Sequence, residues 1–143
     1  MADIRHELLI SAPPARVFQA ISTPAGLDAW WTKSSEGEPT EGRRYRLGFS
    51  PGYDWEAVVR SVTPGQGFEL ELTGADEDWT GTRVGFVLET AGRNTRVSFH
   101  HTGWREANRH FSVSTFCWAM YLRLLKRYVE AGERIPYEKR LEA

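Results

Sequence analysis

The chain has 143 residues, with 18 Lys and Arg against 19 Asp and Glu for a formal net charge of -1. That length makes one domain, burying roughly two-thirds of its unfolded surface, and the balanced charge without a basic block excludes a phosphate-tracking nucleic-acid binder. Cys117 is the only cysteine, which excludes an intramolecular disulfide and a thiolate metal cluster.

In chain order, "IRHELLIS" (Ile4 to Ser11) alternates Ile4, His6, Leu8 and Ile10 against Arg5, Glu7 and Leu9, the period of a half-buried strand. Pro13 and Pro14 then open a short helix carrying Val17, Phe18 and Ile21. Thr23 before Pro24 repeats the start signal for a second short helix through "AGLDAWW". Adjacent helical side chains point about 100° apart, so Trp30 and Trp31 are expected to divide: one ring in the core, the other at a pocket mouth. A polar loop is expected from Thr32 to Gly42. Five strands follow: "RRYRLGFS" with Tyr45, Leu47 and Phe49 on one face, the hairpin "DWEAVVRSV" and "FELELT", and the hairpin "TRVGFVLET" and "TRVSFHHT". In the last hairpin Val84, Phe86 and Leu88 oppose Val97, Phe99 and His101. From Ser112 a helix of about 20 residues is predicted, with Trp118, Leu122, Leu125 and Val129 forming one apolar stripe and Gly132 as its terminator. The core thus runs from about residue 4 to 132, with a short tail over 133–143. No apolar run of about 20 residues predicts a membrane span, and no leader pattern opens the chain; the expected location is the cytoplasm.

One strand, two short helices, five more strands and a long terminal helix define an α+β protein. It has a curved six-stranded antiparallel sheet covered by the long helix. In order and motif the chain resembles the helix-grip, START-like or SRPBCC superfamily. Within it the likeness is to the branch similar to the C-terminal domain of the activator of the heat-shock-chaperone ATPase. The resemblance rests on "SAPPARVFQAIS", "TPAGLDAWW", "TRVSFHHTGW" and "WAMYLRLLKRYVEAG", from about Ile4 to Gly132. It implies a sheet gripping the helix around an apolar pocket, and members that bind lipids, hormones or polyketides, with a catalytic minority.

Six tryptophans among 13% aromatic residues suit a concave apolar ligand site. The leading expectation is a binding protein for a small hydrophobic molecule, lipid-like or aromatic. Its walls would be Tyr45, Leu47, Phe86, Leu88, Phe99, Trp118 and Leu122, with Trp31 near the mouth and His101 as the polar contact. Two alternatives stay open: an enzyme of cyclase or hydrolase type with His101 as acid or base, and a chaperone-interaction module of the activator kind. A chaperone contact and a homodimer are the corresponding partners. Trp55 and Trp79 lie near loops, where each is either a portal residue or folded back on the sheet. His100 and His101 are neighbours on a strand and face opposite ways, so they cannot share one metal ion; no metal and no cofactor is expected. His110 lies on the approach to the long helix. Ser112, Ser114 and Thr115 are read as its capping cluster.

Overall fold

The computed structural model describes all residues from 1 to 143. Strand β1 (Ala2–Ile10) leads into helices α1 (Pro14–Ser22) and α2 (Pro24–Trp30). Six strands follow: β2 (Ser34–Glu36), β3 (Arg44–Gly48), β4 (Asp54–Thr63), β5 (Gly67–Gly74), β6 (Arg83–Ala91) and β7 (Asn94–Trp104). Helix α3 (Arg109–Ala131) and a 3₁₀-helix (Tyr137–Glu142) complete the chain. The strands make one antiparallel sheet in the order β1-β7-β6-β5-β4-β3-β2. Helices α1 and α2 therefore carry the chain from one sheet edge to the other. No helix is long and apolar enough to cross a membrane.

The sheet has seven strands, not the six expected. The extra one, β2, lies inside the predicted polar loop and has only three residues, "SSE", with no apolar alternation to reveal it. It forms because the edge of β3 is open: Ser35 pairs with Leu47. The Ser35 hydroxyl then donates to Asp28 Oδ1 at 2.8 Å, tying the edge to α2.

Elsewhere local chemistry and structure agree. Thr23 caps α2 by accepting from the Gly26 amide at 3.0 Å. Gly132 ends α3 with φ of 69°, a left-handed conformation that glycine adopts without steric penalty. Phe99 pairs with Phe86, His101 with Val84 and Val97 with Leu88, as alternation had set them. The inner residues of β5 (Phe68, Leu70, Leu72) and the α3 stripe (Trp118, Leu122, Leu125, Val129) are all buried in one core. On the outer face Arg60 pairs with Glu71 at 3.0 Å and Arg83 with Glu69 at 3.3 Å, a solvated charge ladder.

Two boundaries differ from expectation. Helix α3 starts at Arg109, because Asn108 is its cap and accepts from the Phe111 amide at 2.9 Å; the Ser112 cluster lies inside the helix. The tail over 133–143 is held against the domain by Arg140, only 4% exposed. Its guanidinium donates to the carbonyls of Asp28 at 2.7 Å and Thr32 at 3.0 Å, orphan acceptors at the end of α2. A cation placed there also favours the negative end of the helix dipole.

Candidate aromatic site between sheet and helix

All six tryptophans belong to one connected network. Trp30 stacks near Trp31 (centroids 6.1 Å apart), Trp31 meets Trp118 at 5.1 Å, and Trp118 lies parallel to Trp79 at 5.7 Å. Trp79 in turn contacts Trp55 at 5.1 Å and Trp104 at 6.2 Å. Helix α2 ends at Trp30, and Trp31 is its C-cap, with its backbone N–H still donating to the Leu27 carbonyl. Trp30 is fully buried, with its indole N–H donating to the Ala20 carbonyl at 2.9 Å. Trp79 folds back from its loop to the centre of the network, and its N–H donates to Ser114 Oγ at 3.3 Å.

A cavity of about 190 Å³ opens within this network. Trp31, Phe49, Trp55, Trp79, Trp118 and Tyr121 supply its rings. Helix α3 adds a short polar face, since His110, Ser114 and Cys117 also line it. Those three and Tyr121 recur at i, i+4, i+7 and i+11, a second helical stripe beside the core stripe. Burial pushes the Cys117 thiol and the Tyr121 phenol upward, so both stay protonated at neutral pH. A larger cleft of about 380 Å³ lies between α1, α2 and the end of α3. It has no cluster of rings, and its Arg16 guanidinium already donates to the Val129 carbonyl.

Two histidines flank Trp79, and their hydrogen bonds give them different chemistry. His101 is fully buried. Its Nδ1 accepts from the Trp118 indole N–H at 3.0 Å. An indole nitrogen can only donate, so Nδ1 is the bare nitrogen and Nε2 carries the proton. Nε2–H then donates to Thr82 Oγ1 at 2.7 Å, and that hydroxyl donates to the Trp79 carbonyl at 2.6 Å. Burial, helped by the charges of His100 and His110, drives the His101 pKa down to about 3. The ring is a neutral, saturated structural element.

His110, in the first turn of α3, is held differently. Its Nδ1 lies 2.9 Å from Asp78 Oδ2, while Asn108 donates to Asp78 Oδ1 at 3.3 Å. The hydrogen bond from His110, followed by that from Asn108, holds the Asp78 carboxyl below its usual range. The imidazole lies parallel to Trp79 at 6.4 Å and meets the edge of Trp104 at 5.5 Å. Its Nε2 makes no hydrogen bond within the protein.

The family model for "Activator of Hsp90 ATPase homolog 1-like protein" matches residues 11–130. The chain belongs to this family. It is an Aha1-like member of the helix-grip, or SRPBCC, superfamily. Among solved structures it is similar to the Aha1 dimer from Colwellia psychrerythraea, with 31% identity, a TM-score of 0.84, and coverage of 93% of this chain and 99% of that one. DynU16, from the dynemicin biosynthetic locus, shares the fold at 20% identity and a TM-score of 0.79, covering 94% of this chain and 50% of that one. CalU16 from Micromonospora echinospora does so at 18% identity and 0.74, covering 98% and 83%. No curated protein sequence matches significantly.

Against this geometry the expected site residues of the Aha1-like chain separate. Trp31 and Trp118 line the cavity. Tyr45, Leu47, Phe86, Leu88, Phe99 and Leu122 do not; they are 5% exposed or less and pack against one another in the core. His101 is not a free polar contact, because both of its nitrogens are spent on Thr82 and Trp118. Phe49, Trp55, Trp79, His110, Val113, Ser114, Cys117 and Tyr121 line the cavity without having been named as its walls. Of these, Trp55 and Trp79 had been read as portal residues or rings folded back on the sheet, and the His110-Ser114-Cys117-Tyr121 stripe had a legible signal in its helical spacing. His100 faces the opposite side of the sheet, where Nε2 meets Glu69 Oε2 at 2.8 Å.

Proposed function

We propose that this protein binds a small aromatic molecule in the tryptophan-lined cavity. One observation carries the reading: four indoles, from Trp31, Trp55, Trp79 and Trp118, converge with Phe49 and Tyr121 on a single space of about 190 Å³. Aromatic walls favour an apolar ring through offset and edge contacts worth roughly 0.5–1.5 kcal/mol per pair beyond burial. Size favours the ring class over the lipid-like one. A cavity of about 150 Å³ holds benzene, whereas pockets for larger ligands run from roughly 300 to 1,000 Å³. The volume of about 190 Å³ here matches one substituted ring better than a lipid chain.

The test is titration of intrinsic tryptophan fluorescence with p-xylene, p-cresol and palmitate. Saturable quenching by the ring compounds, lost in Trp79→Ala and absent with palmitate, is the expected result. No saturable change with any ring compound would sink the reading. The hydrolase alternative gains no support, because Ser114 Oγ accepts from Trp79 and hydrogen-bonds no histidine that would activate it.

A homodimer is the partner reading that two observations favour. The Colwellia psychrerythraea relative is a dimer, and α3 exposes Phe116 (76%) and Val113 (50%), the latter also lining the aromatic cavity. Sedimentation velocity at micromolar concentration, compared with Phe116→Glu, tests it; a wild-type monomer refutes it.

A further inference from the structure

The cavity has apolar walls, so selectivity depends on the few polar groups with no partner of their own. Trp79 N–H is given to Ser114, and Trp118 N–H to His101. His110 Nε2 has none, nor do the indole N–H groups of Trp31 and Trp55, the Tyr121 hydroxyl and the Cys117 thiol. Asp78 fixes the tautomer of His110: a carboxylate accepts only, so Nδ1 bears the proton facing it and Nε2 is the nitrogen left to accept. Trp79 and Trp104 hold the imidazole plane. A preorganised acceptor on the wall of an apolar cavity the size of one ring is complementary to a hydroxyl. That group donates one hydrogen bond and accepts others.

Resting on the aromatic-ligand reading above, we propose that the Asp78–His110 pair is the polar anchor of the cavity. Its ligand class is the one-ring phenols, whose O–H donates to His110 Nε2. Asp78 acts as a positioning residue, holding the imidazole in the accepting tautomer. A carboxylate-bearing ring is disfavoured, because the accepting Nε2 offers it a lone pair where it needs a proton, and Asp78 adds like charge behind the ring.

The experiment compares p-cresol with p-xylene, near-isosteres that differ by hydroxyl against methyl. Dissociation constants come from tryptophan fluorescence at one fixed pH for every variant. The readout is the ratio of the p-xylene to the p-cresol constant, which cancels changes in fold and ring packing. In His110→Phe the ratio is expected to fall about fivefold, the worth of one hydrogen bond at a partly exposed imidazole, while p-xylene binds within about twofold of wild type. His110→Gln, which restores an acceptor near the Nε2 position, recovers part of the loss. Asp78→Asn leaves every cavity wall in place and releases the tautomer, so the ratio falls about threefold; it serves if His110→Phe does not fold. Binding of both compounds with a ratio unchanged in His110→Phe and Asp78→Asn overturns the anchor and leaves the aromatic cavity standing. Binding of neither compound to the wild type overturns both.

Discussion

His101 couples the stability of the domain to acid, and its replacement by Gln isolates that coupling. The folded ring has a pKa of about 3 against 6.5 for the ordinary group, with burial as the first cause. Between those values the unfolded chain binds a proton that the folded chain refuses. The sign follows: the contribution is complete above about pH 6.5 and is lost as the pH falls toward about 3. Over the interval from about pH 7.5 to about pH 5 the linkage integral for one such group is about 2 kcal/mol. Urea denaturation at both pH values should therefore show wild type losing about 2 kcal/mol more stability than His101→Gln. Carboxylates and the paired histidines, His100 with Glu69 and His110 with Asp78, are common to both proteins and cancel in the difference. Carbon NMR gives an independent reading, since the His101 Cε1 resonance should not move between about pH 8 and about pH 5. Equal losses in the two proteins, or a His101 midpoint near the ordinary value, would refute the hydrogen-bond assignment to Trp118 and Thr82.

Trp104 and Trp30 make an informative pair. The Trp104 indole N–H is buried without a partner, whereas that of Trp30 is bonded to Ala20. Trp104→Phe removes an unsatisfied donor, so its cost should be under about 1 kcal/mol, while Trp30→Phe orphans a carbonyl and should cost about 2 kcal/mol or more; chemical denaturation ranks them, and the reverse order counts against the assignment. Arg140→Ala leaves the Asp28 and Thr32 carbonyls without their buried donor. A loss of about 2–3 kcal/mol is expected, with faster amide exchange over 133–143; an unchanged denaturation midpoint would show the tail to be dispensable. Gly26→Ala puts a methyl 2.5 Å from the Gln19 carbonyl oxygen at the crossing of α1 and α2. It should cost about 1–3 kcal/mol by overpacking, and a melting temperature equal to wild type would mean that the helices separate freely.

Alternation and spacing along the chain determined much of the fold. Apolar period two in "TRVGFVLET" and "TRVSFHHT" was enough to pair Phe86 with Phe99 and Val84 with His101, because a one-residue slip would turn every inner side chain outward. The Trp118-to-Val129 stripe likewise identified the face that α3 buries. Strand β2 was hidden because its stability comes from the open edge of β3 and not from its own three polar residues. The role of Arg140 was hidden because its partners lie more than a hundred positions away. In the site, sequence gave the identity of the rings and, by strand parity, sent His100 and His101 to opposite faces. Of the two histidines flanking Trp79, only His101 stood out as a ligand contact at that level. Only tertiary structure distinguished them: Thr82 and Trp118 saturate one ring, while Asp78 holds the other by a single nitrogen and leaves Nε2 free. Local periodicity records which face of an element is buried, but hydrogen-bond partners and leftover volume depend on how distant elements meet.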